Sequence, residues 1–152
     1  MLWIALAMSG SWVNAQSTES LEGVAEVDSF LHHYYSVLSE RDWQAFEQCF
    51  WKDATLTTVW QTSKDSVPKV FTNSITEFLA QTSQGPDSQP IFEESPTTIE
   101  VEVRGNLARA WVNYKAKFGS EADLLEWKGV DLFSLLRHDG EWRIVSVVYE
   151  ND

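Results

Sequence analysis

A chain of 152 residues, 43% hydrophobic and 22% charged, has the size for one globular core and not for two. Its formal net charge of −12 leaves no basic stripe to neutralise phosphates, which excludes nucleic acid and anionic membrane surfaces as expected partners. The single cysteine, Cys49, cannot close an intrachain disulfide, and its apolar helical surroundings read as those of a buried structural thiol.

Residues 1–15 carry no charged side chain, hold an apolar run from Leu2 to Met8, and end in Val13-Asn14-Ala15 before Gln16. This is the pattern of a short signal-peptide core with a small-residue cleavage site. The run falls short of the roughly 20 apolar residues that span a bilayer as a helix. The expectation is a signal peptide over 1–15, a secreted or periplasmic location with no stable membrane insertion after cleavage, a polar leader over 16–23, and one domain over 24–152.

Within that domain, Val27, Phe30, Leu31, Tyr34 and Leu38 fall at the spacing of one helix face, predicting an amphipathic helix from Val24 to Arg41. Asp42 is placed to cap a second, shorter helix presenting Trp43, Phe46 and Phe50, ended at Asp53-Ala54. Thr55 to Trp60 is β-branched and reads as a strand, followed by a polar stretch around Pro68 and a third helix near Asn73 to Gln81. Ser83 to Pro96, with Gly85, Pro86 and Pro90, reads as a loop.

The remainder alternates like a meander. Ile99, Val101 and Val103 alternate with Glu100, Glu102 and Arg104 up to a turn at Gly105-Asn106. Along Leu107 to Phe118, Ala108, Ala110, Val112, Tyr114, Ala116 and Phe118 form a core face, with Arg109, Trp111, Asn113, Lys115 and Lys117 opposite. A loop over 119–123 leads into a strand from Leu125 to Arg137, and Asp139-Gly140 turns the chain tightly into a last strand from Trp142 to Tyr149. Helices first and a meander last give an α+β layout with helices on one face of an antiparallel sheet.

Several of these segments, in this order, resemble the NTF2-like superfamily. They are the helix with Tyr34-Tyr35, then Glu40-Arg41-Asp42, Phe50, Asp53-Ala54-Thr55, Val130-Asp131-Leu132-Phe133, and Asp139-Gly140-Glu141-Trp142 running into Arg143-Ile144-Val145-Ser146. The C-terminal stretch is most similar to the SnoaL-like and "putative lumazine-binding" groups. The resemblance implies a cone: three helices on the concave face of a strongly curved antiparallel sheet, an apolar pocket between that face and the first helix, and dimerisation through the outer face. The same resemblance, extended to ketosteroid isomerase, implies that Tyr34 stands at the oxyanion tyrosine and Asp131 at the neutral acid of that enzyme. It also puts Thr58 at the general base and Leu79 at a supporting tyrosine, and a threonine hydroxyl is far too weak a base to take a carbon acid's proton near neutral pH.

Asp131 interrupts a largely apolar strand, so a carboxyl there is expected to protonate or to find a donor in Tyr34 or a ligand. Tyr34, Trp60, Val112, Tyr114, Phe133 and Tyr149 are the expected pocket lining, suited to a small apolar or aromatic ligand with one or two polar handles. Trp111, on the other strand face, is assigned to a dimer interface or an exposed patch. His32 and His33 are adjacent on a helix and point apart, so they do not share a metal ion, and no motif for a metal or organic cofactor occurs. Two kinds of function remain open. One is a small-ligand pocket, either a binding module or a cofactor-independent isomerase, lyase or dehydratase using Asp131 and Tyr34; the other is a non-catalytic dimeric scaffold or protein-interaction domain.

Overall fold

A computed structural model describes residues 11–60 and 67–151, with side chains from Ser20 onward except that of Trp60. The apolar run of the expected signal peptide lies outside the described residues. Helix α1 spans Ser11–Glu40 and starts well before the stripe read from Val24. Val27, Leu31, Tyr34, Tyr35, Val37 and Leu38 are its buried residues, while His32 and His33 are exposed. Helix α2, Trp43–Gln48, begins where Asp42 accepts a bond from the Ala45 backbone. It stops earlier than the sequence suggested, because Phe50 already belongs to strand β1, Phe50–Trp60. Strand β2 is Lys69–Ser74 and helix α3 is Ile75–Ala80, the latter opened by a reciprocal capping box between Ser74 and Glu77. Two single-turn 3₁₀ segments, Thr82–Gln84 and Pro86–Ser88, lead into β3, Ile91–Arg104, followed by β4, Leu107–Ser120, β5, Asp123–His138, and β6, Glu141–Asn151.

The six strands form one curved, unclosed sheet in the order β2-β1-β6-β5-β4-β3. All described pairings are antiparallel except β1 with β6, which run parallel, so the sheet is mixed rather than purely antiparallel. This follows from connectivity: the chain leaves β1, passes through the rest of the fold, and returns beside β1 in the same direction. At the β5–β6 hairpin, Asp139 and Gly140 both adopt positive φ, 52° and 80°, the conformation that two-residue turns matching strand twist demand.

Alternation in β4 is as read: Ala108, Ala110, Val112, Tyr114 and Ala116 are buried, and the residues between them are exposed. Register then sets the rows of the concave face. Thr58, Tyr149, Asp131, Val112 and Ile99 lie side by side across five strands, and Leu56, Val147, Phe133, Ala110 and Val101 form the next row. The Ser83–Pro96 segment departs from the loop assignment. From Ile91 it is strand, and a bulge between Pro96 and Thr98 leaves Thr97 as an extra residue on β3. That residue shifts the alternation, so Glu94, which a regular strand through Ile99 would turn outward, pairs with Ala116 on the inner face.

Helix α1 lies along β3 in the opposite direction. A Cβ on Gly23 would come within 3.1 Å of Val103, and sixteen residues later Ser39 holds Glu94. The Ser39 hydroxyl both donates to the Glu94 carbonyl and accepts from its N–H, each at 2.8 Å. The helix is thereby fixed to the strand that delivers a buried carboxyl.

Candidate functional site

Between α1, α3, the Pro86 segment and the concave face is a cavity of about 130 Å³. Its wall includes Tyr34, Phe46, Phe78, Phe92, Glu94, Tyr114, Trp127, Asp131, Tyr149 and Asn151. Of the residues expected from the sequence, Tyr34, Tyr114, Asp131 and Tyr149 line it. Val112 and Phe133 are wholly buried in the core and are not part of its wall. The side chain of Trp60 lies outside the described residues. The 3₁₀ segment closes over the cavity through Pro86, and it is tied down by Trp43, whose indole donates to Asp87 at 3.0 Å, and by Arg41, which donates to the Gln89 carbonyl at 2.9 Å.

Asp131 is 5% exposed, and its carboxylate accepts a short hydrogen bond from Tyr35. The sequence pointed to Tyr34 or a ligand as its partner; the neighbouring tyrosine takes that role. Consecutive helix residues diverge by about 100°. That divergence sends Tyr35 toward Tyr114 and Asp131 and Tyr34 into a ring cluster with Phe46 and Phe133, at centroid distances of 5.3 and 5.2 Å. Burial raises the Asp131 pKa to about 7, and the Tyr35 bond moderates the rise. Tyr34, Tyr35, Tyr114 and Tyr149 are all pushed above the ordinary tyrosine range, first by burial and then by nearby carboxyls, so they stay protonated.

The cavity carboxyl that sequence reasoning missed is Glu94. As a whole residue it keeps some open surface, but its carboxyl is enclosed tightly enough that desolvation, followed by repulsion from Asp131, raises its pKa to about 8. The two carboxyls therefore titrate as a coupled pair, and near neutral pH the pair retains protons. Two further polar groups complete the site. Among the described residues, Thr58 Oγ1 and Trp127 Nε1 are buried with no hydrogen-bond partner in good geometry. Each lies near enough to a tyrosine hydroxyl, Tyr149 and Tyr114 respectively, to hold it down slightly without completing a bond in good geometry. Tyr114 itself donates a short bond to Asn151. Outside the cavity, Cys49 is 2% exposed and burial pushes its thiol up to about 11, the character of an inert core cysteine.

A helical layer on a curved mixed sheet, with a cavity held between them, defines an NTF2-like α+β domain. The profile of the family described as "Putative lumazine-binding" matches residues 22–150, and the chain belongs to that family. Solved structures share the architecture at low identity. An NTF2-like protein with a cystatin-like fold from Novosphingobium aromaticivorans matches with a TM-score of 0.71 at 15% identity, covering 95% of this chain and 91% of that one. An NTF-2-like protein of unknown function from Silicibacter pomeroyi matches at 0.60 and 21%, covering 86% and 97%. A protein described as a putative dehydratase of the NTF2-like family from Streptomyces avermitilis matches at 0.68 and 14%, covering 86% and 96%. At these identities the likeness is one of fold. A search of curated proteins finds no match.

Proposed function

We propose that this chain is an exported ligand-binding domain that holds one compact molecule in the aromatic cavity, with Asp131 as its polar handle. The observation that carries the reading is a carboxyl 5% exposed, set in an aromatic wall beside a cavity of about 130 Å³. Apolar cavities of about 150 Å³ accept a benzene-sized guest, so a ligand of that size fits the space as it stands. Binding is preferred to ketosteroid-type turnover because Thr58, where the resemblance puts the general base, has as its near neighbour only a Tyr149 hydroxyl that stays protonated, among the described residues, and that hydroxyl is no activating base. Native mass spectrometry of protein purified gently from an exporting host tests the reading. A reproducible small adduct, lost in Asp131→Asn, is expected; a bare particle that takes up no compact ligand on titration overturns it.

A scaffold reading draws on a separate observation. On the outer face, Trp111, Leu132 and Val148 lie side by side on β4, β5 and β6, with Trp111 46% and Val148 43% exposed. Such a row suits self-association of two copies through their sheets. Light scattering coupled to size-exclusion chromatography is expected to show a dimer that Trp111→Asp converts to a monomer. A monomeric parent protein removes this reading and leaves the cavity untouched.

A further inference from the structure

We propose that the cavity takes a compact organic cation, an alkylammonium bearing an oxygen such as a hydroxyalkylammonium, held between the Asp131 and Glu94 carboxylates and the aromatic wall. The proposal rests on the reading of the cavity as a ligand site and names the ligand's chemistry. The first support is charge. Among the described residues that line the cavity, Glu94 and Asp131 are carboxyls and none is basic. What acts on Asp131 is burial and the Tyr35 bond, and what acts on Glu94 is burial and Asp131. Two like charges brought together from β3 and β5 repel when both ionise, and a cation seated between them turns that repulsion into attraction.

The second support is the rest of the wall. Among the described residues seven aromatic side chains, Phe78, Phe92 and Trp127 among them, surround a space the size of a single small molecule. Aromatic faces carry the negative end of the ring quadrupole, which is how quaternary ammonium groups are recognised. The third is a donor: among the described residues Trp127 Nε1 is buried with no bond in good geometry, its near neighbour being the Tyr114 hydroxyl, and an oxygen on the ligand would accept from it.

Isothermal titration of the full chain with choline and with neohexyl alcohol, its uncharged isostere with carbon in place of nitrogen, tests the inference. Choline is expected to bind more tightly by about tenfold or more at pH 8, with heats that depend on the buffer because protons leave the carboxyl pair. Its affinity should rise with pH between roughly pH 6 and 8, by up to about tenfold per pH unit for each proton displaced from the pair. The tyrosines facing Asp131 and Glu94 from α1, β4 and β6 remain protonated throughout; His32, Glu40 and Glu93 share a groove with Glu94, so His32→Gln should leave the pH dependence in place while Asp131→Asn and Glu94→Gln flatten it. Asp131→Asn and Glu94→Gln should each weaken choline about tenfold and leave the alcohol unchanged. Equal or tighter binding of the alcohol, a choline affinity flat across pH, or no heat from choline overturns the inference. These results stand apart from the adduct experiment above, since a neutral or anionic adduct keeps the pocket reading while defeating this one.

Discussion

Replacing Asp131 by Asn should stabilise the protein, and by an amount that depends on pH. Burial lifts the folded-state pKa from the ordinary 3.8 to about 7. A group raised on folding contributes stability that is fully present below its unfolded pKa and lost as pH rises through the folded one. Above pH 7 the parent protein must either bury a carboxylate or bind a proton that the unfolded chain releases, and the variant does neither. At 1.36 kcal/mol per pH unit, the full penalty reaches about 4 kcal/mol, of which about 3 kcal/mol accrues between pH 5 and pH 8. Asn keeps an oxygen to accept from Tyr35, so the hydrogen bond that anchors α1 to β5 survives the exchange. Urea denaturation of both proteins at pH 5, 6.5 and 8, with m-values compared, measures the difference directly. A constant difference across that range, or a parent protein more stable than the variant at pH 8, refutes the raised carboxyl.

Gly129→Ala should cost about 3 kcal/mol, because the new Cβ would lie 2.5 Å from the Tyr114 hydroxyl oxygen and 2.7 Å from the Glu150 carbonyl, and the carbonyl is backbone that cannot swing away. Denaturation midpoints report it, and a loss under about 0.5 kcal/mol contradicts the close approach. Ser74→Ala removes the oxygen that accepts from Glu77 N–H and should cost about 1 kcal/mol, read by the same method, with Ser74→Asp recovering most of it. Alkylation of Cys49 at pH 8 should be limited by unfolding, so its rate should climb with denaturant; fast labelling of the native protein would contradict a thiol buried to 2% exposure. The sheet-to-sheet dimer adds its own prediction, the monomer produced by Trp111→Asp.

The meander was legible because β4 to β6 each have one buried face, and alternation at period two survives in the residues themselves. Strand β2 was not: Lys69 to Thr72 are all exposed on a sheet edge, so no face is selected and no pattern is written. Strand β1 was entered late because Asp53, at φ 62°, breaks the regular run before Thr55 and looks like a helix stop. The site divides in the same way. Asp131 stood out as a charge in an apolar strand, whereas Tyr34 and Tyr35 offered two adjacent rings that helix periodicity alone does not rank. Glu94 gave no signal, since Pro90 and Pro96 bracket it with loop chemistry and the bulge reverses the parity by which an inward residue is recognised.

Thr97 is the residue that the β3–β4 ladder does not count. Pro96 pairs with Tyr114 and Thr98 with Asn113, while the Thr97 hydroxyl bonds the Asn113 carbonyl at 3.0 Å. A deletion of this one codon would join two segments already in step, leaving Glu94 opposite Ala116 and Ile99 opposite Val112. What would change is the bend that a bulge imposes on its strand. The chemistry of the cavity and the curvature of its wall are thus encoded separately, and a lineage could widen or narrow the chamber by gaining or losing a single residue without relocating either carboxyl.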